Sequence, residues 1–148
     1  MASKATLALT ITVIIPTKNR CELIPELLNS LENLRGLTRI QPNIIVGDNA
    51  SADSTPKIVE MRKTSFPTEL ILLNVSSPGK SAVLNQAIRR STGDILAFLD
   101  DDVVVDSSWL EEIENFFQSN RAHCVGQGRI RTGLGDPPDP EIRRLLQR

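Results

Sequence analysis

Three consecutive aspartates, Asp100, Asp101 and Asp102, interrupt an apolar run in the stretch "ILAFLDDDVVVD" (Ile95 to Asp106). Two carboxylates about 4 Å apart repel by roughly 4 kcal/mol at an effective dielectric of about 20. A fold tolerates such a cluster when solvent or a cation screens it. All-oxygen ligands of this type suit magnesium or manganese, and magnesium in particular retains several waters and takes further ligands from phosphates. The plainer reading is an acidic turn in water, or negative charge favoured near the start of the next helix. Asp106 fits that second description. The triplet, at the end of an apolar run, fits a metal–diphosphate site better.

A second candidate is "VSSPGKS" (Val75 to Ser81), which ends in Gly79-Lys80-Ser81 and precedes a helical pattern. A phosphate loop has this look. Asn74 stands where the first glycine of that motif belongs, and the segment follows the third strand pattern, not the first. A P-loop is therefore rejected, although Lys80 keeps a phosphate contact or a solvated position as its two readings. His123 is the only histidine and has no evident partner, so it is read as structural. Trp109 follows a cap signal and reads as core, ahead of a sugar-stacking platform.

These residues have to be positioned by regular elements. "LTITVIIP" (Leu9 to Pro16) is β-branched and stops at proline. Ile24, Leu27, Leu28, Leu31 and Leu34 recur at helical spacing, with Pro25 tolerable in the first turn. "NIIVGD" (Asn43 to Asp48) and "ELILLNV" (Glu69 to Val75) read as strands, and "DILAFLD" (Asp94 to Asp100) as another. Helices are expected over Ser51 to Lys63, with Asp53, Ser54 or Thr55 as cap, over Lys80 to Ser91, and over Ser107 to Gln118. Ser108 with Glu111 fits a capping box. A weaker strand is expected over Ala122 to Thr132, then a loop and a short basic helical tail. This alternation implies an α/β fold, a mostly parallel sheet with helices on both faces. Ligands of such sheets bind beyond the carboxyl ends of the strands. Polar residues follow four strands there: Thr17 to Arg20, Asp48-Asn49, Ser76-Ser77 and the aspartate triplet.

The chain has 148 residues and a formal net charge of −1, enough for one domain with a core and without the positive charge of a nucleic-acid binder. No apolar run reaches the roughly eighteen residues of a membrane span. "TLALTITVIIP" (Thr6 to Pro16) could pass for a signal core, but one lysine precedes it and no small-residue cleavage site follows, so a buried strand is preferred. Cys21 and Cys124 match no metal spacing and are expected as reduced thiols. A cytoplasmic setting, or a peripheral one at the membrane face, is expected.

Five segments occur in order: "VIIPTKNR" (Val13 to Arg20), "IIVGDNASADST" (Ile44 to Thr55), "GKSAVLNQAI" (Gly79 to Ile88), "TGDILAFLDDDVVVDSSWL" (Thr92 to Leu110) and "VGQGRI" (Val125 to Ile130). Together they resemble glycosyltransferase family 2, with the Rossmann-like GT-A nucleotide-sugar fold. The resemblance implies metal-dependent transfer of a sugar from a nucleotide-diphosphate donor, UDP-sugar favoured, to an acceptor hydroxyl. It implies that Pro16, Thr17, Asn19 and Arg20 border the base, and that Asp48 contacts the base or ribose, Gly47 replacing a first acidic residue. Lys80 and Asn85 become candidate donor contacts. The triplet matches the DXD motif: Asp100 and Asp101 near the ribose and sugar-phosphate, Asp102 holding Mn2+ or Mg2+.

The resemblance also marks a gap. The family's base is an Asp or Glu beyond the DXD motif, and Asp136, Asp139 and Glu141 match no such motif, so no catalytic base is assigned. Residues 1–132 are read as the donor-binding half-domain of a longer enzyme and 133–148 as a loop and tail. With the other half absent, an exposed sheet edge would favour a homo-oligomer. A non-catalytic nucleotide-sugar-binding or assembly module is the alternative. A nucleotidyltransferase ranks below both, because "TKNRCEL" (Thr17 to Leu23) lacks that class's glycines.

Overall fold

The computed structural model describes residues 9–119 and 125–128. Its elements run β1 (Ile11–Thr17), α1 (Ile24–Glu32), α2 (Leu37–Ile40), β2 (Asn43–Asp48), α3 (Thr55–Arg62), β3 (Leu70–Asn74), α4 (Lys80–Arg90), β4 (Ile95–Phe98) and α5 (Trp109–Ser119). The four strands form one sheet in the order β3-β2-β1-β4, and every pairing is parallel. All seven residues of β1 are buried. That explains its unbroken β-branched sequence, since a central parallel strand is covered on both faces. The same burial settles the Thr6 to Pro16 stretch in favour of a strand over the residues described.

Alternate residues of the central strands face two layers. Ile11, Val13, Ile15, Ile44 and Val46 form the larger core with Ile24, Leu27, Leu28 and Leu31 of α1, Val59 of α3 and Leu110 of α5. Each fully buried Leu or Ile contributes about 1.5–3 kcal/mol of transfer free energy. The four buried residues of α1 therefore hold that helix, whose start has no side-chain cap. On the opposite face Ile14 and Ile45 pack with Ala87 of α4, flanked by Ile71, Leu73 and Leu84.

Two glycines set distances between layers. A Cβ on Gly47 would stand 2.2 Å from Cγ1 of Val83, so the glycine lets α4 settle directly on β2. A Cβ on Gly93 would stand 2.6 Å from the backbone nitrogen of Thr12. Beside it, Thr10 Oγ1 donates to Asp94 Oδ2 at 2.7 Å and accepts the Asp94 N–H at 3.0 Å. The Thr10 N–H, donating to Asp94 Oδ2 at 2.9 Å, and then the Thr10 hydroxyl hold the Asp94 carboxyl below the usual range. They lock the amino ends of β1 and β4, at the far edge of the sheet from the aspartate triplet.

One helix start differs from expectation, that of α5, while α3 is held by Asp53, one of its three expected caps. Ser108 does not form a capping box with Glu111. Its hydroxyl and N–H both donate to Asp106 Oδ1, at 2.8 and 2.9 Å. Asp106 thus orders the start of α5, as its acidic position suggested. The start of α3 is bound by Asp53, not by Ser54, whose side chain makes no cap bond. The short α2 was not expected. It follows Gly36, at φ +77°, and is fastened to α5 by Arg39, which donates to Oε1 of the buried Glu114 at 2.9 Å and forms an ion pair with its Oε2 at 2.7 Å. Of the expected fifth strand, Val125 to Gly128 are described and are not strand. His123, Cys124 and the 133–148 tail lie outside the described residues.

Candidate functional site

In the strand order 3-2-1-4, chain direction of winding reverses between β1 and β4. A crevice opens beyond the carboxyl ends at such a switch point. Here it is a cleft of about 530 Å³. The ends of all four strands reach it: Pro16 and Thr17 closing β1 with Lys18 and Arg20 after it, Asn49 after β2, Gly79 and Lys80 after β3, and Asp100, Asp101 and Asp102 after β4. Residues as much as 86 positions apart in sequence (Pro16 and Asp102) line one space because parallel strands end on the same side.

The three aspartates have three different environments. Asp101 is fixed: its Oδ2 accepts from Thr17 Oγ1 at 2.8 Å, its Oδ1 lies 3.5 Å from Arg20 Nε, and its side chain is only 13% exposed. Asp100 is 61% exposed and pairs with the ammonium of Lys80. Asp102 is exposed and makes no hydrogen bond or ion pair with the described residues. Among those residues no three acidic, His or Cys side chains converge as a ready metal cage. One free carboxylate at a cleft nonetheless suits magnesium or manganese, which are bound by one or two carboxylates together with substrate phosphates. The donor set therefore fits a metal that arrives with a diphosphate.

Asp48 is 2% exposed and is not a lining residue. Its Oδ2 accepts the Ser51 N–H at 3.0 Å. Its Oδ1 is buried without a hydrogen-bond partner, an orphan acceptor that native folds seldom leave unused. Gly47, which replaces the first of the two acidic residues that the family resemblance implies, is required by the contact with Val83.

Asn19 and Asn85 are not brought to the cleft. Asn85 is exposed on α4. Asn19, at φ +53°, instead ties two loops together: its N–H donates to Ser51 Oγ at 2.8 Å and its Oδ1 accepts from the Ala52 N–H at 2.8 Å. Ala50 is also left-handed, at φ +52°, a conformation that costs a non-glycine residue about 1–2 kcal/mol. Asp53 completes this junction. Its carboxylate accepts the N–H groups of Thr55 at 2.9 Å and Cys21 at 3.1 Å. The bonds from Thr55 and Cys21 hold its carboxyl far below the usual range, and the Asp53 neighbour pushes the Cys21 thiol up. Arg20 is positioned by the same junction, its N–H donating to the buried Thr55 Oγ1 at 2.9 Å.

Asn49, Lys18, Gly79 and Val83 also line the cleft; from sequence the first three stood only within polar or glycine-containing segments, with no individual role. Asn49 matters most. Its amide donates to the carbonyls of Val75 and Ser77, and its Oδ1 accepts the Gly79 N–H at 2.9 Å. One side chain thus shapes the loop that leads into α4. Gly79 sits at φ +100° and brings no side chain to cap the helix. The first N–H groups of α4 are therefore left at the cleft, where the helix dipole favours an anion.

A parallel α/β sheet with an acidic, lysine-flanked cleft at its switch point defines a class of phosphate-ligand proteins of the doubly wound type. The comparisons narrow this. Residues 12–146 match the profile described as Glycosyl transferase family 2, and the chain belongs to that family. It is 35% identical over 116 residues to glycosyltransferase AglE of Haloferax volcanii, covering 78% of this chain and 38% of that protein. It is 33% identical over 123 residues to succinoglycan biosynthesis protein ExoM of Rhizobium meliloti, covering 81% and 39%. The chain thus spans about two-fifths of the length of these curated relatives. Among solved structures it is similar to S. aureus TarS 1-349 in complex with UDP-GlcNAc, with TM-score 0.66, 28% identity, and coverage of 76% of this chain and 32% of that one. It is also similar to mannosyltransferase PcManGT from Pyrobaculum calidifontis in complex with GDP-Man and Mn2+. There the TM-score is 0.63, the identity 32%, and the coverage 68% and 30%. These neighbours establish the GT-A fold.

Proposed function

We propose that this chain is the donor-binding part of an enzyme that transfers a sugar from a nucleotide-diphosphate sugar to an acceptor hydroxyl, with a divalent metal. The observation that supports this most is Asp102, a carboxylate without a partner among the described residues, in a cleft that also holds Lys80 and the uncapped start of α4. An anionic diphosphate is matched by the ammonium and the helix end. Asp102, with Asp100, would hold Mn2+ or Mg2+. A metal held there supplies Lewis-acid neutralisation of the charge that grows on the leaving nucleoside diphosphate.

The chain's own residues do the rest of the donor work. Asp101, fixed by Thr17 and Arg20, keeps the β1 and β4 ends at a set separation. Pro16, Thr17, Lys18 and Arg20 form the wall against which a base or ribose would lie. The orphan Oδ1 of Asp48 supports a contact with a donor N–H of the base. That oxygen is covered, so the atoms over it have to shift for the contact to form. UDP-sugar is favoured by the likeness to a structure bound to UDP-GlcNAc, and GDP-mannose by the likeness to PcManGT. No described residue is assigned as the acceptor's base.

Equilibrium binding of UDP, GDP and their sugar conjugates, each with Mn2+ and with EDTA, tests this reading. We expect binding that requires the metal, and a loss of about tenfold or more in Asp102→Asn, the scale of a charge-assisted interaction of roughly 1.5–3 kcal/mol. Equal binding by D102N would remove Asp102 from the metal site. Absence of binding to all of these nucleotides would end the donor reading.

A further inference from the structure

We propose that Lys80 is a partner-switching cation: it holds Asp100 while the cleft is empty and transfers to the phosphate oxygens when a diphosphate and divalent metal enter together. This rests on the donor-site reading above and adds to it a means of coupling the two ligands.

The three carboxylates are unequally fastened. Asp101 is held by two partners and is largely shielded, so it is committed to the fold. Asp102 has none. Asp100 has one, the Lys80 ammonium, and both side chains are about 60% exposed, at 60% and 61%. An ion pair this open is worth little on its own and separates readily. Lysine suits such an exchange: its charge is a compact point on a flexible stem, with no fixed fork to orient. Its backbone stays put. Lys80 is the first residue of α4, and the preceding Gly79 is pinned by Asn49 at 2.9 Å. Lys80 therefore swings from a fixed base, and Gly79 and Lys80 at that helix start line the cleft that receives the phosphates.

The consequence is cooperative. Without nucleotide, the Lys80 charge occupies Asp100 and opposes uptake of a bare dication. A diphosphate draws the ammonium away, and Asp100 becomes available beside Asp102. Each ligand then strengthens the other by the same factor, as linkage requires.

Two titrations of the full chain test this: Mn2+ alone, followed by electron paramagnetic resonance, and UDP or GDP at saturating Mn2+, followed by calorimetry. In Lys80→Met we expect Mn2+ alone to bind about two- to fivefold more tightly, the span of an exposed ion pair. We expect the nucleotide to bind roughly tenfold more weakly, so that coupling between the two collapses. Simple removal of a nearby positive charge would also tighten Mn2+ binding, so the comparison is repeated in Asp100→Asn. With its partner gone, K80M should bring little further gain there. An equal gain in both backgrounds would overturn the exchange and leave through-space repulsion as the cause. Wild-type protein that binds nucleotide with Mn2+, while K80M changes neither titration, would overturn the exchange alone. Wild-type protein that binds neither UDP nor GDP would remove the donor site and the exchange together.

Discussion

Asp100, Asp101 and Asp102 are adjacent in sequence yet hold three separate positions: paired to Lys80, built into the strand junction, and without a partner among the described residues. Sequence showed that the three carboxylates needed compensation but not which partner each would find, because Thr17 and Lys80 are distant along the chain. Asn49 was visible only as a polar strand end. Its three bonds to the 75–79 loop depend on β2 and β3 lying side by side. Gly47 illustrates the opposite case. Its place in a family pattern suggested a lost carboxylate, while the structure shows a close approach of Val83. We expect Gly47→Ala to destabilise the fold by about 1–3 kcal/mol, the usual range for overpacking. Pairing it with Val83→Ala should recover part of that loss, as measured by urea denaturation of the single and double variants. A G47A variant as stable as the parent would mean that α4 yields freely, and the account of this glycine would be wrong.

At the scale of elements, β2 runs from Asn43 to Asp48 and α4 starts at Lys80, both as the sequence pattern suggested. Both signals are local: a short β-branched run ended by a polar pair, and a glycine before an amphipathic stretch. By contrast α2 has four residues, too few to show a period, and its anchor is a salt bridge to a distant helix. The junction between the β1 and β2 loops is likewise tertiary, and Asp53 is its centre. Because the Asp53 carboxyl is held below its unfolded value, its ionised form adds stability above the unfolded pKa. That stability is lost as pH falls through the folded pKa. The stability gap between wild type and Asp53→Asn should therefore be constant above about pH 5 and shrink as pH drops below about 4, the ordinary range for aspartate. Chemical denaturation at several pH values measures this. A gap that stays level into strong acid would show that the bonds to Thr55 and Cys21 do not depend on the charge.

For the whole molecule, the sheet order places four loop segments at one cleft, while the opposite rim is closed by the Thr10–Asp94 lock. The parallel α/β architecture and the identity of the acidic rim were legible from the alternation of patterns. The separations within the rim were not, since they depend on how far each loop folds over its strand. Both edge strands, β3 and β4, lack a further neighbour among the described residues, and Phe98 of β4 is 51% exposed. Ligand entry should act on the fold as a unit. At a nucleotide concentration about 100 times its dissociation constant, binding stabilises by roughly 2.7 kcal/mol. For a domain of this size that raises the melting temperature by about 5 °C or more. The shift should appear with UDP or GDP plus Mn2+ and vanish with EDTA.

The most direct test is to locate the metal. Mn2+ is paramagnetic and broadens amide resonances near it, so a two-dimensional spectrum of the nitrogen-labelled chain with nucleotide and a trace of Mn2+ maps its position. The account predicts that broadening is strongest around Asp100 to Asp102, Gly79 and Lys80, and spares Thr10, Gly93 and Asp94 at the far end of the strands. Broadening centred on any other surface, or spread evenly over the chain, would contradict it.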